Sequence, residues 1–237
     1  LTEPTIEVIV KSHNYRDVLK ELNENFFYSH NDYVKKSYKQ AGVTLKQAEA
    51  ALKEIEELNR NISRKFTNWS NDSIIDYIIN THHHHARKNA IIIFDLAEKV
   101  LYRHNKNHPE LSKLSTVLFL FLQDLLTYFK KEEQVLLPCI MQLNNAENQF
   151  KTIDPSAHSL IKESIIKMRI QHISLYKNLE LLRSLTNNYT LPKDACHYYK
   201  DLFKKLKEFE NNLFLHVLLE NSILFPRATL LMKGIEN

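Results

Sequence analysis

Glycine is nearly missing from this chain: 2 of 237 residues, where average usage of about 7% would supply roughly seventeen. A turn-rich β protein cannot be built on so few, so the shortage points to long helices joined by few tight turns. Cysteine is almost as scarce. Cys139 and Cys196 form no close CxxC pair, and a reduced, cytoplasmic protein is the expectation. No apolar run reaches the roughly 18–20 residues needed to cross a bilayer, and no N-terminal stretch has a signal-peptide pattern, so no membrane association is expected. Blocks of one charge sign are missing too. The net charge of +4 is spread as Lys alternating with Glu along helical stretches, which is a solvated face, and with no basic arm or known motif nucleic-acid binding is not expected.

With 43% hydrophobic residues the chain can bury a sizeable core. Residues 213–226 hold its strongest signal. Leu202, Leu206, Phe209 and Leu213 step along one helix face, and the next two steps land on His216 and Glu220 before the stripe resumes at Ile223 and Leu224. A buried imidazole and carboxylate one turn apart cost several kcal/mol unless paired or bound, and metal binding is the commonest relief. The arrangement occurs twice. Tyr128 and Glu132 followed by Pro138 mirror His216 and Glu220 followed by Pro226, with Glu and Pro each displaced by 88 residues, and His83 and His172 differ by 89. Both of these histidines lie on helical stripes: Ile79, His83, Ala86, Ala90, Ile93, and Ile165, Met168, His172, Leu175, Leu179. Leu125, Tyr128, Glu132 and Val135 form the fourth.

Four helices of an all-α protein therefore turn ligand-type residues into one core. The polar breaks predict the first helix from Asn71–Ser73 to about Tyr102 and the second from Pro109 to about Leu143. The third runs from Pro155 to near Leu185, and the last starts at Pro192. His83 and Glu132 lie at similar depths from their shared turn. His172 and His216 do not, and about ten residues must be absorbed by the connection between them. Residues 1–65 are expected to form a small helical domain, 66–237 the bundle, with the polar stretch Ser63–Asn71 between them. The His82–His85 run lies inside a helical pattern and is native sequence. His82, His84 and His85 fall on other faces, each expected to face solvent or to stand just behind the ligands, and Glu133 is expected to point away from Glu132.

Two carboxylates and three imidazoles match the sets that helical bundles use for di-iron centres, two bridging-capable Glu favouring iron or manganese over zinc. These residues resemble the repair-of-iron-centres family of hemerythrin-like proteins. The resemblance spans essentially the whole chain and rests on His-His-x-x-x-Arg at His82–Arg87, Lys-Glu-Glu-x-x-x-x-Pro at Lys131–Pro138, Glu-Asn-x-Ile-Leu-Phe-Pro-Arg-Ala at Glu220–Ala228, and the loop Leu185–Cys196. It implies a hemerythrin-like up-down four-helix bundle with a small N-terminal helical domain. It also implies a di-iron centre held by His83, Glu132, His172, His216 and Glu220, with both Glu bridging, and repair of iron–sulfur clusters damaged by nitric oxide or oxidative stress. Labile iron would be donated to damaged iron–sulfur proteins, with no turnover chemistry of the ordinary kind. A homodimer is compatible with this reading. An O₂/NO-binding sensor or carrier, or an interaction module with weakened metal binding, are its alternatives. The chain departs from the family at several places. Tyr128 replaces a sixth His ligand, as a ligand or as a neighbour of the ions; Gln171 replaces a Glu, Phe214 and Leu218 replace histidines, and the family's N-terminal cysteine pair is missing.

Overall fold

The computed structural model describes residues 64–148 and 155–235, with positions 53, 57 and 60–62; the small domain expected over 1–65 lies almost wholly outside the described residues. Four long helices make up nearly all of what is described. Helix α1 comprises Asn71–Tyr77, a π-helical turn Ile78–His83 and His84–His104. Helix α2 comprises Glu110–Lys131, a second π turn Glu132–Leu136 and Leu137–Asn148. Helix α3 is Pro155–Leu185, and α4 comprises His197–Leu219, a third π turn Glu220–Leu224 and Phe225–Ile235. Helix α1 packs on α2 and α4, and α2 packs on α3. The distal part of α4 returns against α3 and α2, giving the up-down four-helix bundle. Among the described residues no helix is long and apolar enough to cross a membrane.

The bundle forms because each helix carries an apolar stripe and few breakers. Phe121, Phe129, Phe225, Ile74, Ile75, Ile78, Ile93, Leu114 and Leu118 are the largest side chains wholly removed from solvent, each worth about 1.5–3 kcal/mol of transfer free energy. Helix α1 starts one residue earlier than its polar cluster suggests: Ser70, in extended conformation, accepts a hydrogen bond from the Ser73 N–H through its hydroxyl (3.1 Å), satisfying one orphan donor of the first turn. The stretch expected to link two domains is tied to the bundle. The Arg227 guanidinium donates to the carbonyls of Trp69 (2.6 Å) and Phe66 (2.9 Å), and Ile62 and Phe66 are buried in the bundle core.

The π turns decide the phase of the stripes. In an α-helix the same face returns after three or four residues, and a π turn adds one. Val135, expected on the core stripe, is 41% exposed, and Leu136 takes its place at 0%. Ile79 gives way to Ile78 in the same manner. Two of the three turns have a visible cause. Proline lacks an N–H and its ring clashes with the carbonyl four residues back. Pro138 and Pro226 each follow a π turn by two residues. Just before them, the N–H groups of Leu137 and Phe225 reach five residues back to the carbonyls of Glu132 and Glu220, so the helix widens where proline would otherwise break it.

Helix α4 begins at His197, five residues after the Pro192 start expected from sequence. Asn187, Asn188 and Tyr189 adopt φ of 46°, 55° and 57°, left-handed conformations that stop a right-handed helix. Tyr189 is anchored there: its N–H donates to Thr186 Oγ1 (3.1 Å) and its hydroxyl to Glu210 Oε2 (2.9 Å), a carboxylate that Arg183 also pairs with. The loop 186–196 then climbs past the end of α3 until Asp194 meets His108 in the α1–α2 turn. That climb absorbs the depth mismatch between His172 and His216.

Candidate metal centre

All five residues singled out as ligands lie in the centre of the bundle, each 0% exposed: His83 on α1, Glu132 on α2, His172 on α3, His216 and Glu220 on α4. His83, Glu132 and Glu220 sit at the edges of the three π turns, a setting common at functional sites. Only His172 lies on uninterrupted α-helix. The donors divide into two groups, His83, Glu132 and His216, and Glu132, His172 and Glu220, with one ligand atom per residue within 4.8 Å of the others in its group. Glu132 belongs to both.

In the first group His83 Nε2 lies 3.2 Å from Glu132 Oε2 and 3.1 Å from His216 Nε2. Glu133, expected to face away, holds the ring from behind: His83 Nδ1 donates to Glu133 Oε1 at 2.6 Å, and the Arg87 guanidinium donates to that same oxygen at 2.8 Å. A proton on Nδ1 leaves the Nε2 lone pair facing the carboxylate, which is how a carboxylate prepares an imidazole to bind a cation. Arg87 and Glu133 thereby give physical content to the motif residues flanking His83 and Glu132. The ring of Phe129 stacks on His83 at 4.2 Å between centroids. Burial and the neighbouring His216 push the His83 imidazole down to about 2, so it is neutral at any ordinary pH.

The second group is arranged differently. His172 Nε2 lies 3.2 Å from Glu220 Oε2 but only 2.6 Å from the hydroxyl of Tyr128, which donates in turn to Glu220 Oε2 at 3.2 Å. The Asn221 amide meets His172 Nδ1 at 3.1 Å, and Phe225 lies parallel to the ring. Burial, reinforced by the charges of Glu132 and Glu220, holds the Tyr128 phenol well above its usual range, so it is a neutral donor here. Burial also lowers His172. Glu220 also approaches one member of the first group, with Oε1 3.4 Å from His216 Nε2.

The donor set fits a cation on two further grounds. Neither oxygen of Glu132, nor Oε1 of Glu220, receives a hydrogen bond of ordinary geometry although all three are fully buried. Such atoms cost about 1–3 kcal/mol each unless something satisfies them. The two carboxylates also repel: burial and the Glu220 charge drive Glu132 well above the usual carboxylate range. Burial pushes Glu220 upward as well, but His216 and His172 outweigh it and hold it well below that range. Positive charge between them would relieve both effects. Residues 73–228 match the hemerythrin HHE cation binding domain. The chain belongs to the hemerythrin family. Within that family it is 30% identical over 190 residues to a probable iron-sulfur cluster repair protein of Haemophilus influenzae, covering 80% of this chain and 79% of that one. It is also 30% identical over 156 residues to the iron-sulfur cluster repair protein YtfE of Yersinia pseudotuberculosis, covering 66% of this chain and 65% of that one. YtfE of Yersinia pestis matches to the same extent. The match to the Yersinia proteins thus spans just under two thirds of their length, and that to the Haemophilus protein nearly four fifths.

This hemerythrin-family chain has one further histidine beside its centre, which takes the inner of the two places that the sequence left open to it. His82 is buried, its ring 5.8 Å from His216 and edge-on to Tyr77. Burial, then His216, lower it to about 3. The π turn Ile78–His83 brings it inward beside His83, whereas regular α-helix would put consecutive residues about 100° apart. His84 stays exposed and His85 half-buried.

Proposed function

We propose that this chain is an iron–sulfur cluster repair protein whose bundle carries two iron ions for delivery to clusters damaged by nitric oxide or oxidative stress. The observation that carries the proposal is the sharing of Glu132 between two fully buried donor groups. The names of the Haemophilus and Yersinia relatives support the same reading over an O₂/NO carrier or an interaction module. His83, Glu132 and His216 would hold one ion, and Glu132, His172 and Glu220 the other. Bound iron would supply Lewis-acid and one-electron redox chemistry there. The protein's own contribution is to keep His83 and His172 neutral, to orient His83 through Glu133, and to exclude water.

Tyr128 would make the pair unequal. Its hydroxyl already engages His172 Nε2 at 2.6 Å, so an ion in that half must displace a residue outside the donor group, whereas the 3.1 Å partner of His83 Nε2 is His216, itself a donor of that half. The half containing Tyr128 is the one that would give up iron more readily, which suits a donor. The acceptors would be damaged iron–sulfur proteins in the cytoplasm. Any separate domain within residues 1–65 would join the bundle upstream of Ile62, since Ile62 and Phe66 pack into its core.

The test is elemental analysis of protein purified without oxygen, followed by mixing with a nitric-oxide-damaged iron–sulfur dehydratase and measuring its recovered activity. Two irons per chain and recovery that consumes them are expected. Well under one iron after reconstitution, or recovery that does not depend on the bound iron, would contradict the proposal.

A further inference from the structure

A second convergence of imidazoles and carboxylate lies at the other end of the bundle. His104 closes α1, and the His108 N–H donates to its carbonyl at 2.9 Å, extending the helical geometry by one bond and keeping the two side chains one turn apart. Asp194 arrives from the loop 186–196. Its Oδ1 lies 2.9 Å from His108 Nε2 and its Oδ2 lies 4.0 Å from His104 Nδ1. One ligand atom from each of the three falls within 4.8 Å of the other two. Two neighbours hold the arrangement: Glu110 Oε1 accepts from His108 Nδ1 at 3.0 Å, and Asn107 Nδ2 donates to Asp194 Oδ2 at 3.4 Å. The Tyr199 ring closes the inner side, 5.3 Å from His104 and 5.9 Å from His108 between centroids. His104 stands 21 positions along α1 from His83, roughly 30 Å at the helical rise, so the cluster shares no residue with the bundle centre.

We propose that His104, His108 and Asp194 form a separate, mononuclear site for a divalent transition-metal ion. Two imidazoles with one carboxylate are the donors that Zn²⁺ and Fe²⁺ accept, with the remaining positions left to water. Glu110 behind His108 is the carboxylate partner that fixes a ligating ring and its tautomer. An ion pair of His108 with its two carboxylates explains Glu110 and Asp194. It leaves His104 unexplained. That ring is about nine-tenths buried and turns its Nδ1 to the same carboxylate at 4.0 Å, too far for a hydrogen bond. A bound ion would join the α1–α2 turn to the loop before α4, two segments otherwise held by exposed contacts.

The site is tested on the full chain with iron already loaded, titrated with zinc sulfate, zinc and iron being counted in each sample after gel filtration. One zinc per chain is expected while the iron count stays unchanged, with imidazole scattering in the zinc X-ray absorption. Asp194→Asn and His108→Gln should each weaken zinc uptake at least about tenfold, and Glu110→Gln by roughly 10- to 100-fold, with helical circular dichroism and iron content intact. Asp194 and Glu110 are each 46% exposed, so their substitution leaves a folded protein to measure. Zinc that only replaces iron, zinc uptake indifferent to Asp194→Asn and His108→Gln, or no uptake at all would overturn the proposal.

Discussion

The two halves of the bundle centre are built from the same residue types on equivalent helices, yet they are finished differently. On the His83 side the imidazole is held from behind by Glu133, itself paired with Arg87, and among the described residues Nε2 meets only Glu132 and His216, both members of its own donor group. On the His172 side Nε2 is already engaged by the Tyr128 hydroxyl. Donor identity alone would therefore not set the affinity for a cation. What each ligand does when no cation is present counts as well, because every hydrogen bond that must be given up is subtracted from the binding free energy.

The comparison fails outright if the halves do not share Glu132. Glu132→Ala should abolish binding of both ions, read as iron content near zero, because it removes a donor from each group and leaves Glu220 facing its histidines alone. Retention of one tightly held iron would show that the halves are independent. His172→Ala should do less, removing the weaker ion and sparing the one near His83. His83→Ala should remove the tighter ion, and equal losses from the two substitutions would erase the asymmetry. Glu133→Gln is expected to weaken iron binding on the His83 side by roughly 10- to 100-fold, the usual cost of losing a ligand's hydrogen-bonded partner. The substitution of Tyr128 sharpens the contrast: Tyr128→His should tighten the second ion, and the oxidised wild-type protein should lack a tyrosinate-to-iron absorption band. Such a band, lost in Tyr128→Phe, would mean that the phenol is a ligand.

The smallest expected effect is on the acid stability of metal-free protein. His82 and His83 fall to about 3 and about 2 in the fold from 6.5 when unfolded. Between those limits the unfolded chain binds more protons, so stability decreases as pH falls below 6.5, by about 1.4 kcal/mol per unit for each such group. His172 acts in the same direction. Glu132, raised by burial, has the opposite sign above 4.5 and offsets at most one of them. Chemical denaturation of metal-free protein between pH 7 and 5 should therefore show a falling midpoint, shallower in His82→Phe. A flat profile would show that these imidazoles are protonated in the fold.

Much of the centre was legible because burial and helical period together leave little choice. Leu202, Leu206, Phe209, Leu213, His216 and Glu220 step as one stripe, and all are buried. The echo of that pattern 88 residues earlier identified Glu132. What escaped was local departure from the α period. Val135 and Ile79 were assigned to the core by regular spacing, and the π turns moved those places to Leu136 and Ile78. The same departure decides between solvent and the inner place for His82. Pro138 and Pro226 carried the signal for two of the turns, since a proline in a continuing apolar helix demands some adjustment within the preceding turn. Glu133 was read only as the neighbour that faces away from Glu132. Its hydrogen bond to His83 depends on how close α1 and α2 approach, which periodicity along one helix does not report. The start of α4 was misplaced because Pro192 is a good first-turn residue, while the left-handed run Asn187–Tyr189 has no glycine to announce it.

The π turns also divide α2 and α4 into segments whose rotations are set separately. Each residue of an α-helix turns its side chain by about 100° about the axis, so a single-residue deletion within Glu132–Leu136 would do more than shorten α2. It would close the wide turn to the regular α period, on which Glu132 and the shifted Leu136, Leu137, Ile140 and Leu143, all buried, keep their faces, and the cost would fall on Pro138, whose ring then meets a turn that no longer widens for it. The extra residue lets the helix carry its proline without turning the half that bears Glu132 away from the half that packs. Each half can then satisfy its own geometric demand, the carboxylate facing the centre and the leucines facing the neighbouring helices, within one continuous rod.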